Sequence, residues 1–161
     1  MLSNMPKSVF NGLAALTVAI PILAWSNILP VHNVRSSALN YFNETNYVQG
    51  QNTSHAVTAG FATFSWQENT LQGFGNARAK VATGDTYEFK LVRITSSDAD
   101  EINGEWDVFK NGDPTCAGCK GFLYVWGDLK SGGEHLKGSV YNDKVGYTFS
   151  GSLDANTRYD Y

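Results

Sequence analysis

The 161 residues include 17% charged and 13% aromatic side chains, 16 glycines and a formal charge of -3, which is chain enough for one domain with a short appendage. Its twelve Lys and Arg are scattered rather than clustered, so the electrostatic footprint of a nucleic-acid binder is missing. Frequent Tyr, Phe, Trp, Val and Thr after residue 30 point to a mainly β fold.

The first element is apolar. Ser8 to Val34 holds no Asp, Glu, Lys or Arg and is bounded by Lys7 and Arg35. A helix rising about 1.5 Å per residue needs about 20 residues to cross about 30 Å of hydrocarbon, and Val9 to Leu29 meets that length. Residues 1–32 are therefore expected to form a membrane-spanning signal anchor. A cleaved signal peptide competes: Lys7 is a short positive start, Leu13 to Trp25 the apolar stretch, and Ala24-Trp25-Ser26 a small-x-small site. The return of apolar residues at Ile28, Leu29 and Val31 favours the anchor. Asn11, Gly12, Ala14, Ala15 and Thr17 would give it a small-residue face for packing against other membrane helices. Trp25 falls near one end, where an indole suits the membrane interface. Under either expectation the rest of the chain is exported to the periplasm or extracellular space.

Residues 33–55 are rich in Asn, Ser, Thr and Gln without a sustained period and read as a linker, with a helical turn at Ser36 to Phe42. Asn43-Glu44-Thr45 and Asn52-Thr53-Ser54 are glycosylation sequons with Asn43 and Asn52 as acceptors. From Ala56 the pattern becomes that of strands. Ala62, Phe64 and Trp66 share one face of a strand, and Ala77, Ala79 and Val81 share one face of the next. Tyr87, Phe89 and Leu91 do the same until parity breaks at Val92, as at a bulge. Glu105 to Lys110 ends in a Lys-Asn-Gly-Asp turn, Gly121 to Lys130 is apolar on both faces, and a hairpin turns at Asn142 to Lys144. Its second arm alternates from Val145 to Leu153 and continues, more weakly, to Tyr161. About seven short strands over 56–161 predict an antiparallel β-sandwich or a small β-barrel. An outer-membrane barrel is a rival, disfavoured because Tyr124-Val125-Trp126 and Leu91-Val92-Arg93 keep no single polar face.

Cys116 and Cys119 are the only cysteines. In an exported domain they are expected to pair as a disulfide at the tip of a connection, where Pro114 and Gly118 suit a tight loop. A redox C-x-x-C needs a helix after it, and apolar β residues follow instead. Haem attachment needs His where Lys120 stands. A zinc site would have to recruit His32, His55 or His135, each isolated in sequence.

Asp98, Asp100, Glu101 and Asn103 offer oxygen ligands for Ca²⁺, but their spacing departs from an EF-hand loop, and a solvated acidic turn is the simpler expectation. Asn103-Gly104-Glu105-Trp106 resembles the Gly-x-Trp signature of lipocalin-like and avidin-like barrels. It lies mid-domain rather than at the start, so no family is assigned from it. Trp66, Trp106, Tyr124 and Trp126 are candidate aromatics for a sugar or small apolar ligand, although strand aromatics more often belong to a core. No catalytic motif, cofactor site or metal cluster is recognisable.

The expected function is that of a non-catalytic accessory or structural subunit of a membrane protein assembly. Its partners would be other membrane subunits, reached through the N-terminal helix and one face of the β domain. A secreted barrel binding a sugar, lipid or small apolar ligand is one alternative, and an exported thiol-disulfide protein is another.

Overall fold

The computed structural model describes residues 29–128 and 133–154. The described chain forms ten strands: β1 (Val31–Ser36), β2 (Leu39–Asn46), β3 (Gln51–His55), β4 (Val57–Gln67), β5 (Gly73–Val81), β6 (Thr86–Ser97), β7 (Glu101–Lys110), β8 (Asp113–Asp128), β9 (Gly133–Tyr141) and β10 (Val145–Ser152). All belong to one antiparallel sheet, in the order β1-β4-β5-β6-β7-β8-β9-β10-β2-β3. Asn11, Gly12, Ala14, Ala15, Thr17 and Trp25 lie outside the described residues, as does nearly all of the expected 1–32 anchor. No helix among the described residues is long and apolar enough to cross a membrane.

Residues 33–55 are not a linker, and no helical turn forms at Ser36 to Phe42. They make up most of the sheet's first hairpin. β1 runs into β2 across Ser37 and Ala38, and β3 runs into β4 across Ala56. The two limbs pair along their length, with Val31 opposite Gln67 and Ser36 opposite Ala62 in the lower half, then Phe42 opposite His55 and Asn46 opposite Gln51 in the upper half. The polar composition misled because the exposed side of β2 and all of β3 except His55 are solvated, while Val34, Leu39 and Phe42 alone carry the apolar burial of this limb. Burial of a few large side chains is enough to fix register when neighbouring strands supply the remaining hydrogen bonds.

β10 pairs with β9 on one side and with β2 on the other, with Val145 opposite Asn46. The two ends of the strand order, β1 and β3, are thus the chain neighbours of β2 and β4, and belong to the two limbs of a single hairpin. Because neighbours alternate in direction, turns 47–50, 82–85, 111–112 and 142–144 gather at one end, here termed the upper end. Leu29, Pro30, turns 68–72 and 98–100, and Asp154 gather at the lower end.

The alternation expected for β4, β5 and β10 is present. Ala62, Phe64 and Trp66, then Ala77, Ala79 and Val81, and then Tyr147 and Phe149 are buried, with polar neighbours between them. The register of β6 on β7 shifts between Leu91 and Arg93, placing the bulge at Val92. The Lys-Asn-Gly-Asp turn has positive φ at Asn111 (52°) and Gly112 (85°), the signature of a type I′ hairpin turn. Asn142 Oδ1 accepts the backbone N–H groups of Lys144 and Val145, both at 2.8 Å, and so shapes the β9–β10 turn.

The buried face is crowded with rings. Phe89 stands 4.9 Å from Phe149 and 5.8 Å from both Phe42 and Tyr147, centroid to centroid. Phe64 meets Trp106 edge-on at 5.5 Å. Glycine makes room for them: a Cβ on Gly138 would overlap the ring of Phe149, and one on Gly121 would come within 2.8 Å of the Trp106 indole. Large rings over missing side chains are how a narrow apolar layer reaches close packing.

Candidate functional site

The four aromatics singled out in the sequence separate into two pairs. Trp66 and Trp106 are fully buried, on the same face as Phe64 and Phe89. Trp66 donates its indole N–H to the Asp98 carbonyl at 2.8 Å. The Trp106 N–H lies against Gly121 with no acceptor among the described residues. Neither ring reaches solvent, so neither belongs to a surface platform. Tyr124 and Trp126 have the opposite parity, set by buried Leu123 and Val125, and are 40% and 39% exposed.

Their rings stack at 5.7 Å with 11° between planes, and His135 of β9 joins at 5.4 Å from Trp126. The His135 Nδ1 lies 3.4 Å from the Ser152 hydroxyl. Register places Glu101 of β7 and Lys137 of β9 on either side of Tyr124, and Tyr141 opposite Lys120 further up the same surface. The result is an aromatic row on the exposed face of β8 and β9, rimmed by one acid, two lysines and hydroxyls. Such a row can stack on flat apolar or sugar surfaces while the rim fixes orientation. Lys137 and Tyr141 are not among the residues the sequence pointed to, and His135 entered there only as a possible zinc ligand. Their signal in the sequence is the alternation of β9 read against Leu136, Gly138 and Val140.

A second polar group closes the upper end. Glu44 Oε1 accepts the Tyr87 hydroxyl at 2.9 Å and lies 3.1 Å from His55 Nε2. Burial, and then the adjoining Glu44 carboxylate, push the Tyr87 phenol well above its ordinary pKa. Burial likewise raises that of Tyr147, whose hydroxyl donates to Thr115 at 3.0 Å. The phenols therefore stay neutral donors and cap the aromatic layer. Neither Glu44 nor His55 was anticipated as a pair, because they meet only through the β2–β3 register, which the linker reading removed.

Cys116 and Cys119 lie at bonding distance with Cα atoms 5.9 Å apart, as a disulfide requires. The bridge is inside β8 rather than at the tip of the connection, which is the Asn111–Gly112 turn. It spans a register shift in which Val108 faces Cys116 and Trp106 faces Cys119. Gly118 adopts φ 61° there, and its N–H donates to Asp107 Oδ1 at 2.8 Å. Cys116 and Cys119 both belong to the buried face, at 3% and 4% residue exposure. A thiol so placed is inaccessible to an exchange partner, since redox cysteines need solvent access.

The acidic turn is organised from within. Asp98 Oδ1 accepts the N–H groups of Asp100 and Glu101, both at 2.8 Å, and Asn103 donates to Glu101 at 3.0 Å. Among the described residues no group of three or more His, Cys, Asp or Glu side chains could hold a metal ion. The two sequons face each other across β2 and β3, with Asn43 opposite Ser54 and Thr45 opposite Asn52. Asn43 Nδ2 donates to Asn52 Oδ1 at 2.9 Å, so each acceptor amide is engaged by the other.

No family model matches the sequence, and no curated protein or solved structure matches it either.

Proposed function

We propose that this protein is a non-catalytic docking subunit of a membrane assembly, built as an exported, closed β-barrel and tied to the bilayer by its N-terminal segment. The ten strands act as eight up-and-down members, because β1 continues into β2 and β3 into β4. The single observation that carries the reading is the division of the aromatics by face. The inner layer is filled with interlocking rings, while Tyr124 and Trp126 stand on the outer surface beside His135, with Tyr141 further up. A ligand of ordinary size needs a pocket of several hundred Å3, and close-packed rings do not provide one. Recognition is therefore assigned to the outside of β8 and β9.

Photo-crosslinking tests this in membranes of the native source. The full chain is expressed with a photoreactive phenylalanine analogue in place of Tyr124 or Trp126, and in parallel at exposed Thr95 on β6. Adducts to one partner protein of defined mass from positions 124 and 126, with none from position 95, are the expected result. Equal or no adducts at all three positions would remove the docking surface from β8 and β9. The arrangement of Tyr124, Trp126 and His135 also favours a second reading, a sugar-binding surface. That reading predicts retention of the protein on immobilised polysaccharide, lost in Trp126→Ala.

A further inference from the structure

The strands found at residues 31–55 leave no tether between the apolar run and the folded domain. Leu29, the last residue of the Val9–Leu29 run, already accepts a hydrogen bond from Gln67 Nε2 at 3.3 Å, and Pro30 accepts from the Glu68 N–H at 2.8 Å. The next residue, Val31, opens β1. Two carbonyls at the end of the run are thus bonded to the base of turn 68–72. If residues 9–29 span a bilayer, the domain cannot stand off from it, because even an extended chain adds only about 3.5 Å per residue.

The surface around this junction has the composition such an arrangement needs. Leu71, at the tip of the turn, is 65% exposed, and Phe74, at the start of β5, is 68% exposed. Phe74 and Val31 line one hollow of about 330 Å3, with Ser65 and Gln67 between them. Trp126 stands near the same end on β8, opposite His135 of β9. Aromatic and aliphatic side chains ringed by amides and hydroxyls are suited to the headgroup layer. Asp98 and Asp100 sit in the neighbouring turn at this end, so the surface favours zwitterionic over anionic lipid.

We propose that the lower end of the sheet lies in the headgroup layer of the bilayer, with Leu71 and Phe74 inserted beside the emerging N-terminal segment. The proposal rests on the anchored reading given above and adds an orientation to it. The upper end, with exposed Val48 (74%) in its turn, then points into water.

Single-cysteine labelling of the full chain in phosphatidylcholine nanodiscs tests it. Leu71→Cys, Phe74→Cys and Val48→Cys all place the label at exposed positions, and the native cysteines are paired and buried. Near-unchanged circular dichroism verifies folding. An environment-sensitive fluorophore at 71 and 74 is expected to be quenched by doxyl groups near the lipid headgroup roughly three-fold or more strongly than one at 48. Replacing a third of the lipid by an anionic one is expected to weaken that contrast. Equal aqueous accessibility at all three positions in a disc-bound protein would overturn the orientation and leave the anchor standing. A chain that fails to enter discs at all would overturn the anchor and the orientation together.

Discussion

Phe89→Ala measures whether the inner layer is as full as its geometry indicates. The ring is fully buried and bounded by Phe42, Tyr147 and Phe149 at 5.8, 5.8 and 4.9 Å. Its opposite number on β5 is Ala77 and on β7 is Val108, both too small to swing into a vacated space. The walls are strands held on both sides, so the site collapses little, and the loss should lie in the upper part of the 3–5 kcal/mol seen for such deletions. For a domain of this size that corresponds to a melting temperature lower by roughly 12–20 °C. Urea unfolding followed by tryptophan fluorescence reads the difference directly, because Trp66 and Trp106 report from the same layer. The vacated volume should remain dry and take up benzene, restoring part of the loss. A change under about 1.5 kcal/mol would mean that the layer already contained slack. Recognition on the outer face would then lose its basis, and a ligand inside the sheet would account better for the slack.

Three further outcomes follow from other parts of the molecule. Replacing Cys116 and Cys119 together by Ala should leave the far-ultraviolet spectrum unchanged and cost about 2 kcal/mol, the loop-entropy value for so short a ring; loss of the fold in denaturant-free buffer would show that the bridge holds more than the β8 bulge. Tyr87 has its pKa raised by burial and by Glu44, so the unfolded phenol ionises first and stability should fall as pH rises above about 10. Tyr87→Phe should flatten that alkaline limb, and an unaltered limb in titrated thermal melts would contradict the assignment. Asp154 is held below its ordinary value by the Ser37 hydroxyl and N–H, with Arg35 adding a smaller effect. Its depressed pKa makes the contribution complete at neutral pH and lost as pH falls through the folded value. Asp154→Ala should therefore cost about 0.5 kcal/mol at pH 7 and progressively less as the solution is acidified, and a penalty that does not shrink with acid would exclude the ionised carboxylate as its source.

β4, β5 and β10 were legible because inward positions are apolar and outward ones polar or small over Ala62 to Trp66, Ala77 to Val81 and Gly146 to Phe149, whereas the first half of β8 reads as a loop. Parity also held the answer to the aromatic question. Trp66 follows Ala62 and Phe64 in step, whereas Tyr124 and Trp126 oppose Leu123 and Val125, so the four could never have shared a surface. The first hairpin was not legible for a different reason. At its upper end the inward positions are Phe42, Glu44 and His55, and only the first is apolar. Glu44 and His55 are tolerated there because they meet each other and the Tyr87 hydroxyl, a compensation that becomes visible only when residues 44, 55 and 87 are brought together. Local pattern reports what a residue prefers alone, and here the preference was overridden by partners far along the chain. The same distance hid the place of the disulfide, since the bulge it spans exists only relative to the register of β7.

The pairing of β2 with β10 has a consequence in time. Asn46 must find Val145, and almost the whole domain lies between them in sequence. The intervening strands can zip one after another as local hairpins, each closing a short loop, but the seam forms only when the last strand is present. Folding should thus be slow for the domain's size, in the millisecond-to-second range typical of non-local β topologies. Until the seam shuts, the edges of β2 and β10 are open to pairing with another copy. A truncation that removes β10 would not produce a slightly smaller domain. It would arrest the chain in that open state, where its most available partner is itself.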